Sequence, residues 1–305
     1  MHLTVAICTW NRARLLRMTL ERMTELVVPA DTAWEILVVN NNCADDTDQV
    51  VAEFTGRLPI RMVNEPAPGK SHALNRAADD AAGRYLLFTD DDVLVEPDWL
   101  AAYLAAFERW PEAGLFGGPI APWFDGTPPR WLDRGLTSIS SAFAVLDLGP
   151  VARPFDTAHV PFGANMAIRR DVQRRFRYSP DLGPRPGSQL RGEETTMIRE
   201  LLGSGATGWW VPEARVRHVI PGERQTVAYV EAYFYGLGEY FARQPAERPE
   251  RLWLGRPRWL WRAVVQNRLT YWFHRAVSDP AVWVPRLRLA SIDAGRFVHY
   301  PRFRA

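Results

Sequence analysis

Lysine is almost missing from this chain: 36 of its 37 basic residues are arginine, and Lys70 is the one lysine. The bias itself reads as a coding preference, and the single position that escapes it reads equally as a functional residue or as a chance survivor on a solvated loop. Cysteine is nearly as scarce. Cys8 and Cys43 are the only two, without the paired spacing of a zinc or redox motif, which makes a reducing cytosol the simpler expectation. No apolar run is long enough to cross a bilayer. The segment after Met1 has neither a basic region nor a small-residue cleavage pattern, so no signal peptide is expected. Basic and acidic residues almost cancel, at +2, which gives no reason to expect nucleic acid as a partner. A glycine-rich turn after the first strand is also missing, which argues against a dehydrogenase.

What is present is an alternation of short apolar runs and helical patterns. Leu3 to Thr9, Trp34 to Asn40, Ile60 to Asn64 and Tyr85 to Thr89 read as strands. Between them, Asn11 to Leu26 carries apolar residues at helical spacing, Asp45-Asp46-Thr47 starts a second helix, and Ser71 to Ala82 is a third, closed by Gly83. Strands alternating with helices over about 110 residues predict an open α/β sheet, mostly parallel and twisted, with helices on both faces. Ligands of such sheets bind beyond the carboxyl ends of the strands. Here those ends are Thr9-Trp10-Asn11-Arg12, Asn40-Asn41-Asn42, Asn64-Glu65 and Asp90-Asp91-Asp92. Four polar ends in succession favour a nucleotide cleft.

The aspartate run is the sharpest feature. Three adjacent carboxylates beside a low-dielectric sheet repel one another unless a cation offsets them, and Mg²⁺ or Mn²⁺ would do so with phosphate oxygens and water as further ligands. Strand alternation predicts that Asp90 and Asp92 point one way and Asp91 the other. A turn would explain one aspartate there, but not three.

These segments, with Gly69-Lys70 and Asn75, then Phe162-Gly163-Ala164-Asn165-Met166-Ala167-Ile168-Arg169, Gly192-Glu193-Glu194 and Val216-Arg217-His218, resemble the ordered motifs of family-2 glycosyltransferases over roughly residues 3 to 225. The resemblance implies the GT-A fold of nucleotide-diphospho-sugar transferases as a catalytic domain over residues 1–225. A mainly helical extension would follow over 226–305. It implies donor contacts from Thr9, Asn11, Arg12, Asn40, Asn42, Lys70, Asn75, Asp90, Asp91, Gly163 and Asn165. Asn40 stands where many members carry a base-contacting aspartate, and an amide, which both donates and accepts, suits a different pattern. Asp92, with Asp90 and His218, would hold Mn²⁺ or Mg²⁺. Histidines flanked by branched apolar residues are also common as structural groups, and both readings of His218 stand open. Glu194, at the second acid of the family's pair, would be the base for an acceptor hydroxyl, with Glu193 as the second choice. The implied activity is a metal-dependent, inverting transfer of a sugar to a glycan, lipid-linked or small-molecule acceptor, of the kind used in polysaccharide and cell-envelope biosynthesis. A sugar-phosphate nucleotidyltransferase or an inactive sugar-nucleotide binder are the rival readings, the first weakened by the lack of a glycine- and basic-rich phosphate loop.

Two segments stay ambiguous. Residues 119 to 160 are rich in Pro, Gly, Trp and Ser, which suits an acceptor loop that stacks on sugar rings as well as buried loop filling. From Arg258 to Ala276 an apolar stripe, Trp261, Val265, Leu269, Trp272 and Ala276, runs beside a polar one, Arg258, Arg262, Gln266, Thr270 and His274. Packing on the catalytic lobe is the default for that stripe; peripheral contact with the inner face of the membrane, where a lipid-linked acceptor would be met, is the alternative.

Overall fold

The computed structural model describes residues 2–185, 187–188, 190–244 and 252–301. It divides into two compact units, one made of residues 1–123, 144–186 and 193–219, the other of residues 124–143, 187–192 and 220–305. The helical unit therefore includes residues 124–143 and 187–192, which a cut at residue 225 assigns to the catalytic part.

The first unit begins as the sequence predicts. β1 (His2–Thr9), α1 (Ala13–Met23), β2 (Ala33–Asn40), α2 (Thr47–Phe54), β3 (Ile60–Asn64), α3 (Lys70–Asp80) and β4 (Tyr85–Asp90) follow one another. β5 (Val93–Val95), α4 (Trp99–Arg109), β6 (Leu115–Gly117) and β7 (Ile120–Phe124) come next. β8 (Met166–Arg169), α6 (Arg170–Gln173), α7 (Glu193–Gly203), β9 (Gly208–Trp210) and β10 (Val216–Ile220) complete it, and α5 (Arg130–Ile139) lies in the other unit. Seven strands form one sheet in the order β3-β2-β1-β4-β8-β6-β9. The pairings of β1, β2, β3 and β4 are parallel, and β8 runs antiparallel to both β4 and β6.

Side-chain alternation explains why both faces are covered. Leu3, Val5 and Ile7 of β1 join Ile36 and Val38 of β2 in a core completed by Leu16 and Leu20 of α1, Phe54 of α2, and Trp99 and Tyr103 of α4. On the opposite face Ala6, Leu37 and Val39 meet Leu74 and Ala77 of α3 and Met197, Ile198 and Leu201 of α7. Apolar residues on both faces of the strands are the mark of a sheet sandwiched between helices. Parallel register then aligns the polar ends: Thr9 lies opposite Asn40, Asn40 opposite Asn64, and Cys8 opposite Asp90. A second sheet, β5-β10-β7, pairs His218 with Val93 and so brings β10 beside the residues that follow β4.

In the second unit α8 (Val227–Arg243), α9 (Arg258–Val277) and α10 (Pro280–His299) pack with α5. α8 and α10 approach backbone to backbone at glycines. A Cβ on Gly238 would lie 2.1 Å from the Ile292 carbonyl oxygen, and one on Gly295 2.0 Å from that of Tyr235. Among the described residues, no helix is long and apolar enough to cross a membrane.

Candidate active site

The sheet's carboxyl edge carries two different polar clusters. The first is built from amides. Asn40 donates to Asp48 Oδ1 at 2.7 Å and accepts from the Cys43 amide at 2.8 Å. Asn41 is buried, donating to the Glu65 and Ala67 carbonyls and accepting from the Gly69 amide. Asn42 takes a positive φ of 63° and donates to the Pro66 carbonyl at 2.8 Å. Asn11, also at positive φ, accepts from the Ala44 amide at 2.7 Å, and Asp45 accepts from the Ala13 amide at the start of α1. These side chains fix the loops after β1, β2 and β3 to one another, which is the work Asn and Asp do well where the backbone leaves regular structure. Asn41 and Asp45 were not among the candidate site residues; the spacing that places them after strand ends was the available signal.

The second cluster is charged. Lys70, the first residue of α3, holds Asp90 Oδ1 at 3.3 Å and Glu194 Oε1 at 2.7 Å. Burial works to lower the lysine's pKa, but Asp90, Glu194 and Glu193 more than offset it and keep it well above its ordinary value. Glu194 Oε2 accepts from the Gly163 amide at 2.9 Å. A Cβ at residue 163 would stand 2.1 Å from Glu194 Oε1, so any side chain there would displace the Glu194 carboxylate from this position. Glu193 is buried on the side of Gly183 and Ser71. Cys8, which sequence reasoning passed over, lies in the field of the same cluster, with its thiol pushed up chiefly by burial. Its signal was its place next to the last residue of β1.

The three aspartates do not alternate as a strand would arrange them. β4 ends at Asp90, and Asp91 and Asp92 form a turn. Both therefore reach one guanidinium: Arg12 Nη1 lies 3.0 Å from Asp91 Oδ1 and 3.1 Å from Asp92 Oδ2. Burial opposes the arginine's charge, yet Asp91 and Asp92 more than restore it. Asp91 also accepts from the Thr9 hydroxyl at 2.8 Å, and burial, only partly offset by Arg12, pushes its carboxyl up to about 6. Arg12, Thr9 and Asp91 thus brace one another. Arg12 and Lys70 supply the cations that three adjacent carboxylates require, so the run does not by itself demand a metal.

Whether a metal fits is decided at Asp92. Its Oδ1 lies 3.1 Å from His218 Nε2, with both residues buried. Among the described residues no group of three or more His, Cys, Asp or Glu converges as a metal cage. One carboxylate oxygen and one imidazole nitrogen suit Mn²⁺ better than the harder Mg²⁺, when the remaining ligands are diphosphate oxygens and water. Asp90 turns to Lys70 instead.

Two residues expected to contact the donor are engaged with the protein itself. Asn165 is fully buried and its side chain is spent on the scaffold: Trp99 Nε1 and the Tyr103 hydroxyl donate to its oxygen at 2.8 Å, and its nitrogen donates to the Pro119 and Ala214 carbonyls. It has nothing left for a sugar hydroxyl. Asn75 likewise clamps Tyr178, donating to its carbonyl at 2.8 Å and accepting from its amide at 3.0 Å.

A doubly covered α/β sheet with a charged, buried cluster at its carboxyl edge is the architecture of a GT-A transferase. The family model of glycosyl transferase family 2 matches residues 4–176, more than half of the chain, and the chain belongs to that family. It is similar to the succinoglycan biosynthesis protein ExoM of Rhizobium meliloti, 27% identical over 83% of this chain and 78% of that protein. It also resembles the glucosyl-dolichyl phosphate glucuronosyltransferase of Haloferax volcanii, 23% identical over 72% of this chain and 69% of that one. Among solved structures, the mannosyltransferase PcManGT from Pyrobaculum calidifontis, in complex with GDP-Man and Mn²⁺, superposes with a TM-score of 0.60 at 21% identity, over 96% of this chain and 86% of that one.

Proposed function

We propose that the chain transfers a sugar from a nucleoside-diphosphate sugar to an acceptor hydroxyl by a single displacement with inversion at the anomeric carbon. The observation that carries this reading is the shared ammonium of Lys70, which reaches the aspartate run at 3.3 Å and the Glu194 carboxylate at 2.7 Å. Donor-binding and acceptor-activating groups would thus meet at one point.

Glu194 Oε2 is held by the Gly163 amide, leaving Oε1 to take the acceptor proton. As that proton leaves, the acceptor oxygen bonds to the anomeric carbon. The bond from that carbon to the diphosphate oxygen breaks, and its electron pair departs with the nucleoside diphosphate. Lys70 is placed to meet the negative charge on the leaving diphosphate. When it does so it relieves Glu194 of its ion pair, so the base becomes active with the donor bound. Asp92 and His218 would hold Mn²⁺ or Mg²⁺, which supplies electrostatic stabilisation of the diphosphate when bound. Asp90 is the group for a ribose hydroxyl, with Asn11 and Asn42 shaping the base pocket through their loops.

The names of the relatives support a sugar–carrier acceptor. One is a succinoglycan biosynthesis protein and another a glucuronosyltransferase of glucosyl-dolichyl phosphate, so a glycan growing on a lipid phosphate is the acceptor class we favour. The PcManGT complex with GDP-Man and Mn²⁺ supports a nucleotide-sugar donor with a divalent metal. Thermal shift against a panel of nucleoside diphosphates, with and without Mn²⁺, tests the reading. A metal-dependent shift with at least one nucleotide, lost in Asp92→Ala, is expected; no metal-dependent shift with any of them would overturn it.

A further inference from the structure

Trp261, the first residue of the stripe on α9, packs on Phe297 at 4.6 Å between ring centres, but from Val265 onward the stripe is turned outward. Leu260 and Tyr271 are the buried residues of this helix, on the face opposite the stripe. Val265, Leu269, Trp272, Phe273 and Val277 are between 55% and 65% exposed. Spaced at three and four residues, Val265, Leu269, Trp272, Phe273 and Ala276 share one side of the helix. Single exposed apolar residues are ordinary on a soluble protein, but a run of this length along one face marks an interaction surface.

Charge says what covers it. The 20 residues of α9 include Arg258, Arg262, Arg268 and Arg275 and no aspartate or glutamate. Residues 251–305 contain eleven arginines against Asp279 and Asp293, while the other 250 residues hold 26 basic and 33 acidic side chains. A chain close to neutral overall has therefore gathered its positive charge in the segment that carries the apolar face. Two tryptophans of the helix lie beside arginines, Arg296 over Trp259 at 4.8 Å and Arg268 over Trp272 at 5.8 Å. Glu231 of α8 pairs with Arg268 at 2.7 Å; an aromatic face bordered by arginine, on a helix with no acid of its own, is complementary to an anionic lipid surface, where rings sit at headgroup depth and guanidinium groups meet phosphates.

We infer that the outward face of α9 docks this protein on an anionic bilayer, lying in the interface and not spanning it. The inference stands on the helix alone and holds whatever sugar or acceptor the catalytic unit uses.

Vesicle flotation of the full chain, without donor, tests it. Wild-type protein is expected to float with phosphatidylcholine vesicles carrying roughly one third phosphatidylglycerol and to stay behind with pure phosphatidylcholine. Raised salt should weaken the binding. Leu269→Glu combined with Trp272→Glu should lower partitioning about tenfold or more, with turnover of a water-soluble acceptor unchanged. Val265→Ser with Phe273→Ser provides a second variant of the same face should the first melt early. Three results would overturn the inference: wild-type protein that does not float, double variants that float as well as wild type, or a wild-type dimer in sedimentation that these variants dissociate, which would make the face a contact between copies.

Discussion

The amide cluster after β1, β2 and β3 and the charged cluster after β4 lie on the same sheet edge, and both looked like ligand-binding groups in the sequence. They differ in what their side chains already hold. Asn40, Asn41 and Asn42 spend their amides on Asp48 and on loop backbone. Lys70, Asp90, Glu194, Asp92 and His218 instead face one another as charged or ionisable groups. An amide satisfied by backbone costs nothing to keep and has little to offer a substrate. A buried ion pair carries a desolvation cost that a binding or catalytic role would justify. The amides hold the loops of the sheet edge together, and the proposed chemistry rests on the charged groups.

Substitutions on the two sides should separate accordingly. Gly163→Ala forces a methyl into the place of the Glu194 carboxylate, so kcat should fall by about 100-fold or more while the protein still folds, as steady-state kinetics and circular dichroism together would register. Retained activity would mean that the position of Glu194 is unimportant. Lys70→Met should lower kcat/KM for the donor roughly 30-fold, about 2 kcal/mol, with weaker binding of the nucleoside diphosphate in calorimetry. On the amide side, Asn41→Ala leaves two carbonyls and an amide without their partner. It should cost about 2 kcal/mol in denaturant unfolding, with kcat within about threefold of wild type. A large kinetic defect at full stability would break the distinction.

The smallest effect lies away from both clusters. Glu35 accepts from Arg61, Thr4 and the Ala82 amide, and these bonds outweigh burial to hold its carboxyl down at about 2, against an ordinary 4.5. A depressed folded-state pKa stabilises above the unfolded value, and that stability is lost as pH falls through the folded value. The pair with the part-exposed Arg61 is screened by solvent, so Glu35→Gln should cost about 1 kcal/mol near neutrality, and the gap to wild type should close between roughly pH 4.5 and 2.

Much of this was legible in the sequence. The strands from Leu3, Trp34, Ile60 and Tyr85 stand within a residue of where apolar runs put them, because covered parallel strands must be apolar on both faces. β5, which pairs with β10, has three residues, too few for any period, so the small sheet that delivers His218 to Asp92 was invisible. The aspartate run was misread in direction because the strand stops at Asp90, after which side chains need not alternate. Asn165 was misread because an amide that binds sugar and one that binds carbonyls are the same residue, and only its complete burial tells them apart. The stripe on α9 was seen, but periodicity gives a face and not the direction it points.

In the proposed mechanism donor-side and acceptor-side chemistry meet at Lys70, with Glu194 as the base. Turnover of the accepted nucleotide sugar by Glu194→Gln, beside calorimetric binding of its nucleoside diphosphate, tests this most directly. A fall in kcat of about 1,000-fold or more is expected, with binding within about threefold of wild type. A variant that turns over at the wild-type rate would contradict it.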